Sequence, residues 1–402
     1  MKRHRSMLSS TVFGLLSAAV VAAACADQTE TDGAAPPETR LPDNGDAAGA
    51  TTDGGDGDVF VNPGCEASNT CAPPPVDCAA VDFCAVTAPM ASDVVLNGIW
   101  GSSATDIWAV GSRGTILHGN GNTFSTVPSG TNVALFSVFG TASDDVWIAA
   151  SRAPLHSKAL PDGGLEWESV QGERWVDDLA SEGRTWTLWG SSKDAIWMGG
   201  AYSSRFGAPG SFWSKGTSED GGVVWNAETV YRQFDTSGWD ATIRGIWGAG
   251  PNDVWGVGQQ GYIFRYEPAS QETPARWLAW DSQTTNTLEG IWGSSTSDIW
   301  IVGSVGTIRH STGAPSTFDV VNSPTSLALH AVWGSSPNDV WIVGDEGTLL
   351  HWDGTAWSIA DAGLPPGSRP NLYGIWGTGP NDVWIVGEGV ILHRTTQNRN
   401  RP

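Results

Sequence analysis

The sequence is poor in basic residues, and this shortage restricts the partners that the protein can have. It contains 21 Lys plus Arg against 43 Asp plus Glu, which gives a formal net charge of −22 at pH 7. An acidic surface repels the phosphates of nucleic acids and the headgroups of anionic membranes. We therefore expect neither as a partner, and we interpret the charge as a solvated acidic surface.

Long hydrophobic runs are rare, and the most prominent one, residues 7–24, follows a basic start. This combination predicts a secretory signal peptide over residues 1–24. The run ends in three alanines before Cys25, which resembles the site at which bacterial lipoproteins are cleaved and lipidated. Simple cleavage at an Ala-x-Ala site is the alternative. We expect an exported protein, either a lipoprotein of the outer membrane or periplasm that touches the membrane only through a lipid on Cys25, or a secreted one.

Large apolar side chains are almost absent from residues 25–64, which contain no tryptophan and are rich in Gly, Ala, Pro and Asp. Such a composition cannot bury enough surface to offset the entropy of ordering. We predict a disordered acidic linker. Its Asp-Gly-Gly-Asp-Gly-Asp stretch, residues 53–58, is interpreted as a spacer rather than a calcium site.

Cysteine is also scarce, since the chain has five, and four of them fall in residues 65–84. These are Cys65, Cys71, Cys78 and Cys84. Their gaps of five and six residues exceed the usual spacing of zinc-binding cysteine pairs. In an exported protein we expect two disulfides, and three pairings are possible.

Tryptophan, in contrast, is abundant, with 23 residues that mostly follow a repeat. Two aromatic residues eight positions apart recur seven times, as Trp100/Trp108, Phe139/Trp147, Trp189/Trp197, Trp247/Trp255, Trp292/Trp300, Trp333/Trp341 and Trp376/Trp384. Short apolar segments punctuated by glycine at this period are typical of propeller blades. We predict an all-β fold over residues 80–395, a seven-bladed β-propeller with four-stranded antiparallel blades.

The last repeat ends at His393 without a fourth strand of its own. Phe83 precedes Trp100 by 17 residues, much as Trp357 of the sixth repeat precedes Trp376 by 19. We therefore predict that the segment around Phe83 supplies the missing strand, pairs with residues 391–393 and closes the ring, which removes an exposed edge.

One segment, residues 340–357, resembles the repeat of the photosystem II assembly-factor family; it reads Val-Trp-Ile-Val-Gly-Asp-Glu-Gly-Thr-Leu-Leu-His-Trp-Asp-Gly-Thr-Ala-Trp. Through Asp353, Gly354 and Trp357 it is also similar to the Asp-box (BNR) turn of sialidase-like propellers. Residues 333–341 resemble Trp-rich repeat lipoproteins of Gram-negative bacteria. These resemblances imply a seven-bladed propeller in the cell envelope and assign no activity.

Two polar residues recur in most repeats and invite a metal-binding interpretation. An aspartate precedes the second aromatic by two positions, as Asp106, Asp145, Asp253, Asp298, Asp339 and Asp382. A histidine closes the third strand, as His118, His156, His310, His351 and His393. Equivalent positions on different blades are too far apart to share a metal ion. We expect the aspartates to cap hairpin backbones, the histidines to hydrogen-bond between blades, and no metal site.

Three residues before the first aromatic, the side chain differs in every repeat. These positions, near the start of the predicted innermost strand, are Asn97, Phe136, Trp186, Arg244, Glu289, His330 and Tyr373. Packing alone would favour one residue type at all seven, so we predict that they bind a ligand. The alternative is that each packs against its own neighbours.

The long insertions, one within repeat three and one after each of repeats two and three, are predicted to lie on the same face as these seven positions. They contribute Trp175, Tyr202, Arg205, Tyr231 and Trp239. Aromatic and arginine side chains are enriched at binding hot spots, and arginine could select a carboxylate or a polar glycan edge.

Two classes of function fit these observations. The first is a monomeric binding or assembly protein that engages a protein, peptide or glycan and needs no cofactor. The second is a sialidase-like glycoside hydrolase, with Glu289 and Tyr373 acting near Arg244 and Arg113. Most glycosidases need two carboxyl groups about 5 to 9.5 Å apart, and Glu289 is the single acid among the seven variable positions. The sequence therefore favours the binding protein and predicts no catalytic residue.

Overall fold

The computed structural model describes residues 76–151, 153–160, 164–170, 184–201, 212–218, 221–228, 230–231, 242–313 and 317–395. These residues belong to one compact unit built almost entirely from β-strands. Three single-turn 3-10 segments, Ser112–Gly114, Gln259–Gly261 and Asp345–Gly347, lie between strands. In this part of the chain no helix has the length and hydropathy needed to cross a membrane. The predicted signal peptide and linker, together with Cys25, Cys65 and Cys71, lie outside the described residues.

The strands form seven antiparallel sheets, one for each repeat, which confirms the predicted seven-bladed propeller. Blade 1 contains β2 (Leu96–Ser103), β3 (Asp106–Gly111), β4 (Ile116–Gly119) and β5 (Phe124–Val127). Blade 2 contains β6 (Leu135–Ala142), β7 (Asp145–Ala150), β8 (Leu155–Ala159) and β9 (Leu165–Ser169). Blade 3 contains β10 (Arg184–Ser192), β11 (Ala195–Ala201), β12 (Phe212–Thr217) and β13 (Val223–Ala227).

The remaining blades repeat this order with small variations. Blade 4 contains β15 (Ile243–Gly250), β16 (Asp253–Gly258), β17 (Tyr262–Glu267) and β18 (Arg276–Asp281), and β14 (Val230–Tyr231) pairs in parallel with its outer edge. Blade 5 contains β19 (Leu288–Ser295), β20 (Asp298–Gly303), β21 (Thr307–Thr312) and β22 (Asp319–Val321). Blade 6 contains β23 (Leu329–Ser336), β24 (Asp339–Gly344), β25 (Leu349–Trp352) and β26 (Trp357–Ile359). Blade 7 contains β27 (Leu372–Gly379), β28 (Asp382–Gly387), β29 (Val390–Arg394) and β1 (Cys84–Ala85).

The first strand of each blade contacts the first strand of the next blade, and the series closes from β27 back to β2. These seven strands therefore surround the propeller axis. The second strand of each blade is buried along nearly its whole length, as in Asp339–Gly344. Because it packs against neighbouring blades on both faces, it reads as a continuous apolar run rather than an alternating one.

Blade 7 is closed by the N-terminal segment, as the sequence predicts. Cys84 pairs with His393 and Ala85 with Leu392, and the backbone N–H of Val86 donates to the carbonyl of Ile391. The strand is shorter than predicted, because Phe83 lies immediately before it and not within it. Phe83 is nevertheless fully buried, and a disulfide joins Cys78 to Cys84 beside it.

One aromatic contact recurs between every pair of neighbouring blades. An aromatic at or just before the fourth strand sets its edge on the second-strand tryptophan of the preceding blade, with ring centroids 5.2–5.7 Å apart and planes at 76–88°. The pairs are Phe124/Trp384, Trp167/Trp108, Trp225/Trp147, Trp277/Trp197, Phe318/Trp255, Trp357/Trp300 and Phe83/Trp341. Edge-to-face packing adds to the burial of two large rings, so these contacts join the blades.

We expect Trp341→Ala to lower the free energy of unfolding by roughly 3–5 kcal/mol, the usual cost of removing a buried tryptophan side chain. Trp341 is 1% exposed and carries Phe83 on its ring. Ile359 of the same blade is 71% exposed, so Ile359→Ala serves as the control. Urea denaturation measures both variants, and equal midpoints for Trp341→Ala and the wild type would contradict the structural role.

Candidate functional site

The seven variable residues share one structural feature that the sequence did not reveal. In every blade the innermost strand shifts register twice, and the residue at the first shift is the variable one: Asn97, Phe136, Trp186, Arg244, Glu289, His330 or Tyr373. The second shift lies near the other end of the strand, at Ser102 in blade 1 and at the equivalent position of the other blades. Each variable residue is a β-bulge without a partner opposite it on the second strand. Bulges re-aim side chains and are frequent beside functional sites. All seven side chains are half-buried around the axis, and we call them the bulge ring.

One arc of the bulge ring is aromatic and cationic. The rings of Phe136 and Trp186 lie 4.2 Å apart, and the Arg244 guanidinium lies 4.3 Å from the Trp186 ring centre. Nε of Arg244 is 3.8 Å from a carboxylate oxygen of Glu289. Residues of blades 2 to 5 thus form a continuous chain of contacts, with guanidinium and aromatic faces attracting each other.

The other arc is acidic and rich in hydrogen bonds. His330 Nε2 lies 2.7 Å from Asp345 Oδ1, and the His330 ring is 4.9 Å from that of Tyr373. The Tyr373 hydroxyl donates to Glu388 Oε1 over 3.2 Å, and the Asn371 amide donates to the same oxygen. Asp345 and Glu388 come from the turns between the second and third strands, so these turns extend the ring outwards.

Asn97 donates from its side-chain amide to the carbonyl of Leu135 in the next blade, over 2.8 Å. Contacts of bulge-ring residues therefore join blades 1 to 5 in series and blade 6 to blade 7. The charge around the ring is uneven, since Glu289, Asp345 and Glu388 stand against Arg244 and Arg184, and the Arg184 guanidinium lies 6.0 Å from the Trp186 ring centre. The arrangement offers aromatic surface on one side and carboxylates on the other.

The residues of the glycosidase alternative are not brought together as that chemistry requires. Arg113 pairs with Asp93 at 2.6 Å in the exposed turn that follows β3. Glu289 contacts Arg244, whereas Tyr373 contacts Glu388. Burial raises the pKa of Tyr373, and the neighbouring Glu388 charge raises it further, so the phenol is protonated at neutral pH.

Four of the five residues predicted from the insertions lie outside the described residues: Trp175, Tyr202, Arg205 and Trp239. The backbone of Tyr231 belongs to β14, which pairs with the outermost strand β18 of blade 4. At about 4.8 Å per strand, this position is roughly 19 Å from the innermost strand. Tyr231 is therefore at the rim of blade 4, apart from the bulge ring.

The recurring Asp and His residues form a second repeated unit, which lies within each blade. In five blades Nε2 of the third-strand histidine is 2.6–2.8 Å from the aspartate Oδ1, and its ring stacks on the second-strand tryptophan. A Ser or Thr of the innermost strand donates to the other aspartate oxygen. The expected contacts, backbone capping and inter-blade hydrogen bonds, were wrong, because the partners are side chains of one blade.

These units are structural rather than catalytic. Each hydroxyl donates to the aspartate and not to the histidine, so the imidazole has no direct path to take its proton. The sites stand one to a blade, and among the described residues no three His, Cys, Asp or Glu side chains are grouped to hold a metal ion.

A separate groove of about 770 Å³ lies on blade 1, between residues 89–94 and the loop of residues 128–132. Met90, Val94, Ile116 and Val127 contribute its apolar wall. None of the bulge-ring residues lines this groove, so it is distinct from the candidate site.

Comparison with solved structures identifies similar propellers. YCF48 from Cyanidioschyzon merolae superimposes with a TM-score of 0.59 at 19% identity, over 79% of this chain and 99% of that one. A structure of YCF48 bound to D1 peptide gives 0.57 and 19%, over 82% and 100%. Virginiamycin B lyase from Staphylococcus aureus gives 0.57 and 15%, over 78% and 98%. No protein-family model matches the sequence, and no curated protein does. At these identities the likeness establishes the fold alone.

Blade 4 lacks the hydroxyl of the repeated unit, and this omission leads to a prediction. Ala249 stands where other blades have Ser or Thr, and Oδ2 of Asp253 is buried without a hydrogen-bond partner among the described residues. We expect Ala249→Ser to raise the free energy of unfolding by about 0.5–1.5 kcal/mol, the usual net value of a hydrogen bond. Ala104→Ser, in an exposed turn of blade 1, is the control. A loss of stability in Ala249→Ser, measured by urea denaturation, would refute the assignment.

The repeated unit also predicts acid sensitivity. Burial by itself would raise the pKa of Asp339, but hydrogen bonds from His351 and Ser335 outweigh it and hold the pKa below its usual 3.8. The same balance lowers the pKa of Asp145 and Asp382. A carboxyl pKa that is lower in the folded state stabilises the fold above the usual value, and this stability is lost as pH falls through the folded pKa.

We therefore expect the melting temperature to fall as the pH drops below about 4, where unfolded carboxyl groups begin to bind protons. Asp339→Asn should be less stable than the wild type at pH 7 and should lose less stability on acidification. Thermal denaturation followed by circular dichroism at several pH values measures both effects. An acid dependence in Asp339→Asn as steep as in the wild type would contradict this account.

Proposed function

We propose that this protein is an exported binding or assembly propeller that engages a protein or peptide segment at the bulge ring. The observation that carries the proposal is the coincidence of two independent features at seven positions. The side chain varies from blade to blade in an otherwise uniform repeat, and each variable residue is a β-bulge at the start of an innermost strand. A rigid frame that presents varied side chains at one end is the usual architecture of a binding surface.

The contacts within the bulge ring indicate the chemistry of the partner. Arg244 already pairs with Glu289, and Arg113 pairs with Asp93, so neither arginine is a free receptor for a carboxylate. The carboxylates of Glu289, Asp345 and Glu388 outnumber the two cations of the aromatic arc, Arg244 and Arg184. A segment that combines an aromatic or apolar side chain with Lys or Arg fits both arcs, since the aromatic packs on Phe136 and Trp186 while the cation meets the acids.

Two further considerations support a peptide partner. A similar propeller, YCF48, is described in complex with D1 peptide, and that complex shows that this architecture can hold a peptide. The acidic surface of the whole chain would attract a cationic segment and steer its approach. We further propose that the protein is a monomeric lipoprotein of the cell envelope anchored through Cys25, as the lipobox-like start predicts. A glycan partner would use the same aromatic arc and is the alternative outcome of the test.

The test begins with a phage-displayed library of random 12-residue peptides panned against the purified protein. We expect the recovered peptides to combine an aromatic residue with Lys or Arg. Replacing Trp186 or Arg244 with alanine should weaken the tightest synthetic peptide by more than about 1 kcal/mol, roughly fivefold in Kd, because truncation of an aromatic or arginine anchor has this cost. Fluorescence anisotropy measures the Kd.

The control variant is Lys193→Ala, which removes an exposed cation from the turn at the opposite end of blade 3. Its Kd should equal that of the wild type, and circular dichroism should show that all variants stay folded. Peptides that bind Trp186→Ala and Arg244→Ala as tightly as the wild type would place the site elsewhere. Recovery of no peptide, with binding to a glycan array instead, would overturn the partner class.

A further inference from the structure

The turns between the second and third strands carry a strained residue at the same place in four blades. Arg113, Gln260, Val305 and Glu346 have φ angles of 57°, 58°, 57° and 53°, in the left-handed region. Glycine follows each of them, also with positive φ. Two successive left-handed residues define a turn that favours glycine or asparagine at both places.

None of the four strained positions holds glycine or asparagine. Each therefore costs free energy that glycine would avoid, and for the β-branched Val305 the left-handed conformation is a genuine outlier. Strained residues that persist in this way cluster at functional sites. The four side chains also differ in kind, which is the same pattern of variation that marks the bulge ring.

The strained turns lie beside the bulge ring. The backbone N–H of Ser304 donates to the carbonyl of Thr287, two residues before Glu289. Gln259 bonds in the same way to Thr242, two residues before Arg244. The turns of blades 1 and 6 repeat this bond, so every strained residue stands one step outward from a bulge-ring residue on the same face.

The four strained residues, which lie at the tips of these turns, differ in whether their side chains form an ion pair within the protein. Arg113 pairs with Asp93, and Glu346 pairs with Arg369 at 3.0 Å. Val305 is 66% exposed, so its apolar side chain faces solvent. Its left-handed backbone is also unfavourable for a β-branched residue. Its turn adjoins Glu289, where the aromatic and acidic arcs meet.

We infer that the four strained side chains form a second, outer set of contacts around the bulge ring, which we call the outer tier. In it, Val305 packs against an apolar side chain of the bound peptide. The inference rests on the proposed function and adds a specificity-determining residue to it. The peptide residue concerned neighbours the cation that meets Glu289. The strain at Val305 persists because glycine, which would relax the turn, has no side chain to contact the partner.

The test uses the tightest peptide from the library and compares stability with affinity in one variant. Val305→Gly relieves the strain and removes the side chain. It should therefore raise the melting temperature and at the same time raise the Kd for the peptide by at least threefold. A residue with a merely structural role would not change stability and affinity in opposite directions. Val320→Ala is the matched control, since Val320 is 60% exposed on the outermost strand of the same blade, and its Kd should stay at the wild-type value.

The outcomes separate this inference from the proposed function. A Val305→Gly variant that is more stable and yet binds the peptide with the wild-type Kd, while Trp186→Ala raises the Kd, would refute the outer-tier inference. That result would leave the proposed binding at the bulge ring intact. If neither variant changes the Kd, both proposals fail. If Val305→Gly lowers the melting temperature, the strain argument is wrong. A loss of affinity in Val320→Ala equal to that in Val305→Gly would also overturn the assignment, because the effect would not be specific to the turn.

Discussion

The propeller depends on the edge-to-face contact between a fourth-strand aromatic of one blade and the second-strand tryptophan of the blade before it. A twisted four-stranded sheet of this size cannot bury both of its own faces, so each blade relies on its two neighbours. Seven such contacts form a circle, and the circle is complete only because Phe83 reaches Trp341 from the N-terminal side. Residues 83–86, which come first in the described fold, therefore close its last blade.

The need to repeat this contact explains why most of each blade is uniform. The Ser or Thr, Asp, His and Trp unit holds the second-strand tryptophan at a constant angle, and its members recur in five blades. Blades 3 and 4 depart from it: Ser214 stands opposite Trp197 where other blades have a histidine, and Arg265 lies over Trp255. Tyr266 of blade 4 packs on Trp197 from the neighbouring blade. Blades 3 and 4 also carry Trp186 and Arg244. The repeated unit is thus incomplete in two of the blades that form the aromatic and cationic arc.

A uniform frame leaves few positions free to vary, and the bulges provide them. A residue in register on the innermost strand must fit between neighbouring blades; at Gly98, for instance, an added Cβ would lie 3.0 Å from Ser137 Cα. A bulged residue is released from the ladder, so its side chain can change unless another contact requires it. The second bulge of each strand stays Ser or Thr in six blades because its hydroxyl can bond to the aspartate of the repeated unit. The first bulge has no such recurring contact. Variation at the bulge and at the strained turn beside it therefore has a common origin. The bulge and the strained turn both lie at the end of the blade where close packing restricts the side chain least.

The sequence by itself determined the number of blades, their four strands and the closure by the segment at Phe83. It could do so because two aromatics eight residues apart mark a hairpin, and the period counts the hairpins. It also located the variable positions, since they stand at a constant offset from the first aromatic. The tertiary structure decided which side chains meet: Arg244 with Glu289, His330 with Asp345, and each histidine with an aspartate of its own blade. These pairings depend on register shifts, on left-handed turns and on the angle between blades, which a linear period does not contain. It also placed Tyr231 at the outer edge of blade 4, because residues 230–231 pair with the free edge of β18. The repeat period of the sequence does not predict where an inserted segment finds such an edge.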